Sequence, residues 1–171
     1  QRVLCIGGGV GIAPLYPQIK YLNTQGTSVD VIIGARSSKY IILQDEIRKC
    51  ASNIYIATDD GSLGHKGFVT DVLKKLIDNG NKYDLVIAVG PLIMMKVVSQ
   101  ITKEYDIPTT VSMNPIMVDC TGMCGGCRVT VGGGTFYACV DGPDFDGHLV
   151  DFDEAMRRQQ MYKQEEKIEH N

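Results

Sequence analysis

Five short apolar segments alternate with helical stretches between residues 3 and 112, and this alternation limits the possible folds more than any other feature. The segments are aliphatic or β-branched and mostly bounded by Gly, Asp or Asn, which is typical of strands that are buried on both faces. We therefore predict an α/β fold with a doubly wound, five-stranded parallel sheet. The predicted strands are Val3–Ile6, Val29–Ile33, Ile54–Thr58, Leu85–Val89 and Thr109–Ser112.

Four predicted helices connect these strands. Gly26 and Gly80 follow two of them, at positions where a left-handed C-terminal cap is common. Right-handed crossovers would bring the loops after the strands to one edge of the sheet. The predicted helices are about Pro14–Gln25, Lys39–Ala51, Val69–Asn79 and Leu92–Glu104.

The composition changes after residue 112, where Gly, Cys and turn residues become frequent. Arg128–Val131 and Thr135–Ala138 flank three glycines and predict a short hairpin. Asp151 and Glu154 have the spacing of a capping box, which predicts a terminal helix over about residues 152–167. We expect a nucleotide-binding domain over residues 1–112, a cluster-binding region over 113–150, and a helix and tail over 151–171.

Charge and hydropathy exclude some classes of function. The net charge is −3 and no basic run occurs, which argues against a nucleic-acid partner. No apolar run approaches the roughly 20 residues that span a bilayer, and no secretory leader is evident, so we expect a cytoplasmic location, no membrane partner and reduced thiols. The chain enters a core-like strand directly after Gln1 and Arg2, so we expect that a further domain precedes it.

A glycine-rich loop follows the first strand and opens the first helix. Glycines allow the backbone to approach a pyrophosphate, and a helix N-terminus favours its negative charge. A strict G-x-G-x-x-G is absent because Ile12 stands at the last position. Three further loops follow strands, where open α/β sheets bind ligands. Met94 is also among the predicted nucleotide-binding residues, although two adjacent methionines in a helical stretch are more typical of a hydrophobic core than of a cofactor site. The predicted nucleotide-binding residues are Gly7, Gly8, Gly9, Val10, Gly11, Gly34, Ala35, Arg36, Asp59, Asp60, Gly61, Gly90, Pro91 and Met94.

The residues alone do not decide between NAD and NADP. The acidic residue that holds a ribose hydroxyl near the end of the second strand is absent, and Arg36 there favours a 2′-phosphate. Asp59 and Asp60 could instead hold a ribose, or they could form a plain Asx turn. No nucleophile or acid–base pair stands out, and a nicotinamide and a flavin would need orientation rather than a protein acid or base.

Four of the six cysteines lie within 20 consecutive residues. Cys124 and Cys127 form a C-x-x-C pair, and Cys139 follows 12 positions later. The plant-type C-x4-C-x2-C register places the first ligand at Asp119, whereas Cys120 offers the better ligand one residue out of register. A [2Fe–2S] cluster is the main interpretation. A structural zinc site in a nucleotide-binding module without redox activity is the alternative, although zinc sites usually offer two C-x2-C pairs.

Several motifs together resemble one family. The chain is similar to the electron-transfer subunit of class 1B dihydroorotate dehydrogenase, and most of all to the small subunit of NADH-dependent ferredoxin:NADP oxidoreductase, also called sulfide dehydrogenase, within the ferredoxin–NADP reductase superfamily. The resemblance extends to about Tyr162. Its motifs are Gly7–Pro14, Thr58–Ser62, Lys66–Thr70, Asn114–Asp119, Met123–Gly125 and Cys139–Pro143.

The resemblance implies a ferredoxin-reductase-like NAD domain, NAD(H) rather than NADP(H), FAD on a preceding β-barrel, and a [2Fe–2S] cluster. It implies a large catalytic flavoprotein partner, of dihydroorotate dehydrogenase type, which would belong to pyrimidine biosynthesis, or of glutamate-synthase-like type. In the nearer branch the first cluster ligand is Asp, followed by Gly; here that Gly is Cys120. The implied ligands are Asp119, Cys124, Cys127 and Cys139. Without the flavin domain, we expect the chain alone to oxidise NADH poorly.

Overall fold

The computed structural model describes residues 1–161, and a seven-stranded sheet forms its centre. The strand order is β4-β3-β2-β1-β5-β6-β9, and every pairing is parallel except that of β9 with β6. The five predicted parallel strands are confirmed, and two short edge strands, β4 and β9, extend the sheet beyond the prediction. The strands are β1 (Arg2–Gly8), β2 (Ser28–Ala35), β3 (Asn53–Thr58), β4 (His65–Lys66), β5 (Leu85–Val89), β6 (Thr109–Ser112), β7 (Arg128–Val131), β8 (Gly134–Tyr137) and β9 (Asp144–Asp146).

Five α-helices accompany the strands in residues 1–161. The predicted helix Lys39–Ala51 is wrong in extent: a 3-10 turn at Ser38–Tyr40 precedes a five-residue helix. Leu43 has φ 58°, a left-handed conformation that a right-handed α-helix cannot contain. The terminal helix ends at Gln159, and residues 162–167 of the prediction lie outside the described residues. The helices are α1 (Ile12–Thr24), α2 (Gln44–Arg48), α3 (Val69–Asp78), α4 (Leu92–Glu104) and α5 (Phe152–Gln159).

Alternate residues of β1 divide the core into two layers. Val3 and Cys5 pack with α1 and α2, whereas Leu4 and Ile6 pack with α3 and α4. All four side chains are buried, which explains why the strand is apolar at every position rather than at every second one. None of the helices within residues 1–161 combines the length and hydropathy that a bilayer crossing requires.

The predicted glycine caps and the hairpin are present. Gly26 and Gly80 have φ 75° and 85°, and their N–H groups donate to Asn23 and Ile77 carbonyls. The hairpin pairs β7 with β8, and the second strand ends at Tyr137 rather than at the predicted Ala138. This hairpin and α5 pack on the α3–α4 side of the sheet, where Val129 and Phe152 join the same core as Leu92.

A buried carboxylate connects three strands near their N-terminal ends, at the side of the sheet away from the glycine-rich loop. Asp30 is fully buried and accepts hydrogen bonds from Arg2 Nη2 at 2.6 Å, Asn53 Nδ2 at 2.8 Å and Tyr83 Oη at 3.0 Å. The Arg2 guanidinium also lies 4.9 Å from the centre of the Tyr83 ring. A buried charge is tolerated only when its hydrogen bonds are satisfied, so each donor contributes to stability.

We expect Tyr83→Phe to lower the free energy of unfolding by about 1–3 kcal/mol, because it removes one donor from a buried carboxylate without changing the ring. Denaturant unfolding would measure this loss. Tyr105→Phe is the matched control, since the Tyr105 hydroxyl bonds Asp78 at 3.2 Å on the exposed surface and its removal should change stability much less. Equal effects of the two substitutions would contradict the importance of the Asp30 network.

Candidate nucleotide cleft and cluster loop

A turn of four glycines with one valine lies where the order of the sheet reverses. β1 has β2 on one side and β5 on the other, and open α/β sheets bind ligands at this switch point. The strand ends at Gly8, a 3-10 turn covers Gly9–Gly11, and α1 begins at Ile12. Gly9 needs its glycine for φ 57°, and Gly11 needs it because a Cβ would lie 2.3 Å from the Val89 carbonyl oxygen. The turn therefore lies directly against the end of β5.

Two clefts open on either side of this turn and share Gly8, Gly9, Pro91 and Ile93. One has a volume of about 560 Å³ and lies over the ends of β2 and β3. The other has a volume of about 650 Å³ and lies over the ends of β5 and β6. The predicted residues that line at least one of the two clefts are Gly8, Gly9, Val10, Gly11, Gly34, Ala35, Arg36, Asp59, Gly90, Pro91 and Met94.

Three predicted residues, Gly7, Asp60 and Gly61, line neither cleft. Gly7 lies beneath the turn, where a Cβ would meet Ile12 at 2.6 Å. Asp60 Oδ1 accepts from the Ser62 hydroxyl at 2.6 Å and from its N–H at 2.9 Å, and these bonds hold the pKa of Asp60 below its usual value. The Ser62 hydroxyl oxygen in turn accepts a hydrogen bond from Ser38 N at 2.8 Å. Asp60 therefore helps to connect the segment after β2 with the loop after β3. Of the two aspartates, Asp59 is the one that lines a cleft.

Some lining residues were absent from the predicted set. The first cleft includes Phe68, Val69 and Thr70 at the start of α3, and these lie in a stretch that carried the family resemblance. Their position at the N-terminus of the helix that follows the third predicted strand could have indicated them. The second cleft includes residues of α5, which only tertiary packing brings to the turn. The further lining residues of the second cleft are Pro14, Val89, Leu92, Ser112, Asn114, Met156, Gln159 and Gln160.

The hairpin brings two cysteines together. Cys127 directly precedes β7, and Ala138 after β8 donates its N–H to the Cys127 carbonyl at 3.1 Å. Ala138 therefore lies opposite Cys127 and Cys139 follows it, and the Sγ atoms of Cys127 and Cys139 are 3.2 Å apart. The hydrogen bond with the Cys127 thiol is the main cause that raises the pKa of Cys139. Hairpin pairing thus explains why two ligand candidates 12 positions apart in sequence meet.

A glycine N–H group points at a thiol in this loop, as the glycine content predicts. Gly126 N donates to Cys124 Sγ at 3.4 Å. Gly122 and Gly125 have φ 80° and 67°, which only glycine adopts readily. Such N–H bonds to sulfur are typical of iron–sulfur ligation, so the loop fits that group.

The two candidates for the fourth ligand differ in their surroundings. Asp119 Oδ1 accepts from Thr121 N at 2.9 Å, which is the main cause that lowers the pKa of Asp119. Cys120 is exposed and has φ 59°, an uncommon value for a residue other than glycine. Within residues 1–161, no three His, Cys, Asp or Glu side chains already converge on one point as ligands of a single metal ion would.

Comparison with known families identifies both regions. Residues 5–100 match the model of the oxidoreductase NAD-binding domain, and residues 114–151 match that of the iron–sulfur cluster binding domain of dihydroorotate dehydrogenase B. The first match covers more than half of the chain, so the chain belongs to the oxidoreductase NAD-binding domain family. The second match favours iron–sulfur over zinc in the cysteine-rich region.

Individual relatives confirm the resemblance to electron-transfer subunits. A Thermotoga maritima protein described as a dihydroorotate dehydrogenase B (NAD(+)) electron transfer subunit homolog is 50% identical over 98% of this chain and 58% of its own length. An uncharacterized Clostridium beijerinckii protein is 59% identical over 97% of this chain and 56% of its own. A solved structure of an NADH-dependent reduced ferredoxin–NADP oxidoreductase is 48% identical with a TM-score of 0.89, over 98% of this chain and 60% of that chain. The chain thus spans somewhat more than half the length of these relatives.

The tight contact of the glycine turn yields a stability prediction. We expect Gly11→Ala to destabilise the fold by about 3 kcal/mol, because the atoms that the new Cβ meets belong to the β5 backbone and cannot rotate away. Gly26→Ala is the control: its Cβ would meet no atom within 4 Å, and only its φ of 75° opposes the change, at about 1 kcal/mol. Thermal or denaturant unfolding compares the two, and a smaller effect at Gly11 would contradict the contact.

Proposed function

We propose that this chain is the NAD(H)- and cluster-binding part of an electron-transfer subunit, which passes electrons between NAD(H), an FAD on a preceding domain and a large catalytic flavoprotein subunit. The observation that carries the proposal is that some residues line both the candidate nucleotide cleft and the region of the cysteine loop. Leu92, Asn114 and Gln159 line both the cleft beside the glycine turn and a small cavity behind Gly126 of the cysteine loop. Redox groups bound at these two sites would therefore be neighbours.

The lining of the clefts supports a role in binding and orientation. Arg36 and Asp59 are the only ionisable residues among the described residues that line the two clefts. When bound, nicotinamide and flavin supply hydride chemistry and an iron–sulfur cluster supplies single-electron transfer, so no protein acid or base is required. The chain's own contribution would be the backbone of Gly8–Gly11 and the start of α1, which favour a pyrophosphate, and apolar walls that exclude water.

Arg36 and Asp59 line the same cleft, and their opposite charges bear on the choice of dinucleotide. Arg36 favours a 2′-phosphate, whereas the Asp59 carboxylate repels one and can accept from a ribose hydroxyl. Asp60 does not enter this balance because its carboxylate is bonded to Ser62. We propose that Asp59 holds the ribose and that NADH is preferred to NADPH.

We expect NADH to bind this chain more tightly than NADPH in titration calorimetry. Arg36→Gln should leave the Kd for NADH within about threefold and weaken NADPH by about tenfold, because only the 2′-phosphate needs the guanidinium. Lys39→Gln removes an exposed positive charge nearby and is the matched control for general electrostatics. Tighter binding of NADPH than of NADH by the unchanged chain would refute the preference.

For the cluster, we propose a [2Fe–2S] group held by Asp119, Cys124, Cys127 and Cys139. Two features support Asp119 over Cys120. The Asp119 carboxylate accepts from the Thr121 N–H, and Asp119 keeps the C-x4-C-x2-C spacing with Cys124 and Cys127. Cys120 has the left-handed backbone that glycine favours, which fits a loop whose conformation was built around Gly at that position.

We expect Cys120→Ala to retain the absorption and EPR signals of a [2Fe–2S] cluster and Asp119→Ala to lose or alter them. The two substitutions remove neighbouring exposed side chains, so each serves as the control for the other. An intact cluster in Asp119→Ala together with its loss in Cys120→Ala would overturn the assignment. A colourless protein that contains zinc would overturn the cluster itself.

Exposed apolar residues around the loop support a protein partner. Val118, Met123 and Val140 are 75%, 87% and 55% exposed, and each is adjacent in sequence to a proposed ligand. Apolar side chains grouped on a surface are typical of protein–protein contact sites. We propose that the large flavoprotein subunit, of dihydroorotate dehydrogenase or glutamate-synthase-like type, docks here.

A further inference from the structure

Arg158 of α5 reaches the cysteine loop across 32 positions of sequence. Its Nη2 donates to the Gly126 carbonyl oxygen at 3.2 Å. Gly126 lies between Cys124 and Cys127, and its own N–H donates to Cys124 Sγ at 3.4 Å. A single loop residue thus receives a hydrogen bond from a guanidinium and gives one to a proposed ligand.

Other contacts hold α5 in place without Arg158. The Asp151 side chain caps the helix by accepting from Glu154 N at 2.8 Å, and Asp151 N donates to the Thr130 carbonyl of β7 at 2.9 Å. Lys96 Nζ and Asp153 Oδ1 form an ion pair at 2.6 Å, and Phe152 is buried. Loss of the Arg158 side chain should therefore leave the helix folded and change mainly the loop.

The charge of Arg158 lies in surroundings that screen it incompletely. Arg158 is half-buried and lines a cavity of about 100 Å³ together with apolar side chains such as Ile116 and Val118 and with a second cation, Arg128. No carboxylate within residues 1–161 forms an ion pair with it. A partly buried charge is screened less by solvent and salt than one in open solvent.

We propose that Arg158 is a positioning residue for the cluster: it fixes the backbone at Gly126 and places a positive charge between two proposed ligands, next to Cys127 and two residues after Cys124. This inference rests on the proposed function of the cysteine loop. Reduction adds a negative charge to the cluster, so a nearby positive charge stabilises the reduced state and raises the reduction potential.

The test compares Arg158→Gln, Arg158→Lys and Arg157→Gln in the cluster-loaded chain by an EPR-monitored redox titration. Arg157 is the neighbouring exposed arginine, and its side chain makes no hydrogen bond to the cysteine loop. Arg158→Gln should lower the one-electron reduction equilibrium constant by up to tenfold, about 59 mV. Arg158→Lys retains the charge and should shift less, and Arg157→Gln should change little. Equal shifts for Arg158→Gln and Arg157→Gln would overturn the specific role of Arg158.

A second measurement does not need a cluster. Hydrogen–deuterium exchange of the backbone from Gly125 to Arg128, in the chain freed of iron, should be faster in Arg158→Gln than in the unchanged chain and in Arg157→Gln. Unchanged exchange in Arg158→Gln would refute the positioning role. If the unchanged chain assembles no cluster, the proposed function fails, whereas this exchange result still decides whether Arg158 holds the loop.

Discussion

Contact between Gly11 and the carbonyl of Val89 is the constraint on which both clefts depend. Because Gly11 has no side chain, the turn after β1 can lie against the end of β5, with which β1 pairs directly. The chain then turns into α1 over the carboxyl edge of the sheet, and an opening remains on each side of Gly8 and Gly9. The turn glycines therefore have separate roles: Gly11 allows close packing, and Gly9 adopts a left-handed conformation.

The region after residue 112 depends on the same body of the protein. Val129 of the hairpin and Phe152 of α5 belong to the core that contains Leu92 and Met113, and β9 adds to the edge of the main sheet. A hairpin of this size would be marginal alone, and here its apolar face is covered by α5 and by the α3–α4 side of the sheet. This packing sets the position of Cys127 and Cys139 relative to the nucleotide cleft. The predicted domain boundary between residues 112 and 113 stays a prediction about function, because one hydrophobic core includes residues from both sides of it.

The sequence predicted the features that local patterns control. Strands buried on both faces are continuous apolar runs, so all five central strands were found. The edge strands β4 and β9 have two and three residues and are largely polar, so they carry no such signal. The sequence also predicted most of the loops that line the two clefts, because each follows a strand. It could not predict that Asp59 faces a cleft while Asp60 turns to Ser62, because this depends on side-chain direction within one turn. Nor could it place Met156 and Gln159 at the site, since tertiary packing alone moves α5 there.

The pair Asp119 and Cys120 shows how backbone conformation can oppose intrinsic ligand strength. Thiolate is the usual ligand of iron in such clusters, which favours Cys120. Yet Cys120 has φ 59°, in a loop where Gly122 and Gly125 have similar left-handed values. A side chain at a left-handed position costs roughly 1–2 kcal/mol, so the loop retains this conformation because its neighbours require it rather than because of Cys120. Spacing in sequence, rather than this conformation, decides which side chain stands in register with Cys124 and Cys127. Asp119 keeps the C-x4-C-x2-C spacing with Cys124 and Cys127 and accepts from Thr121 N, so we propose the carboxylate as the ligand although iron chemistry alone favours the thiol.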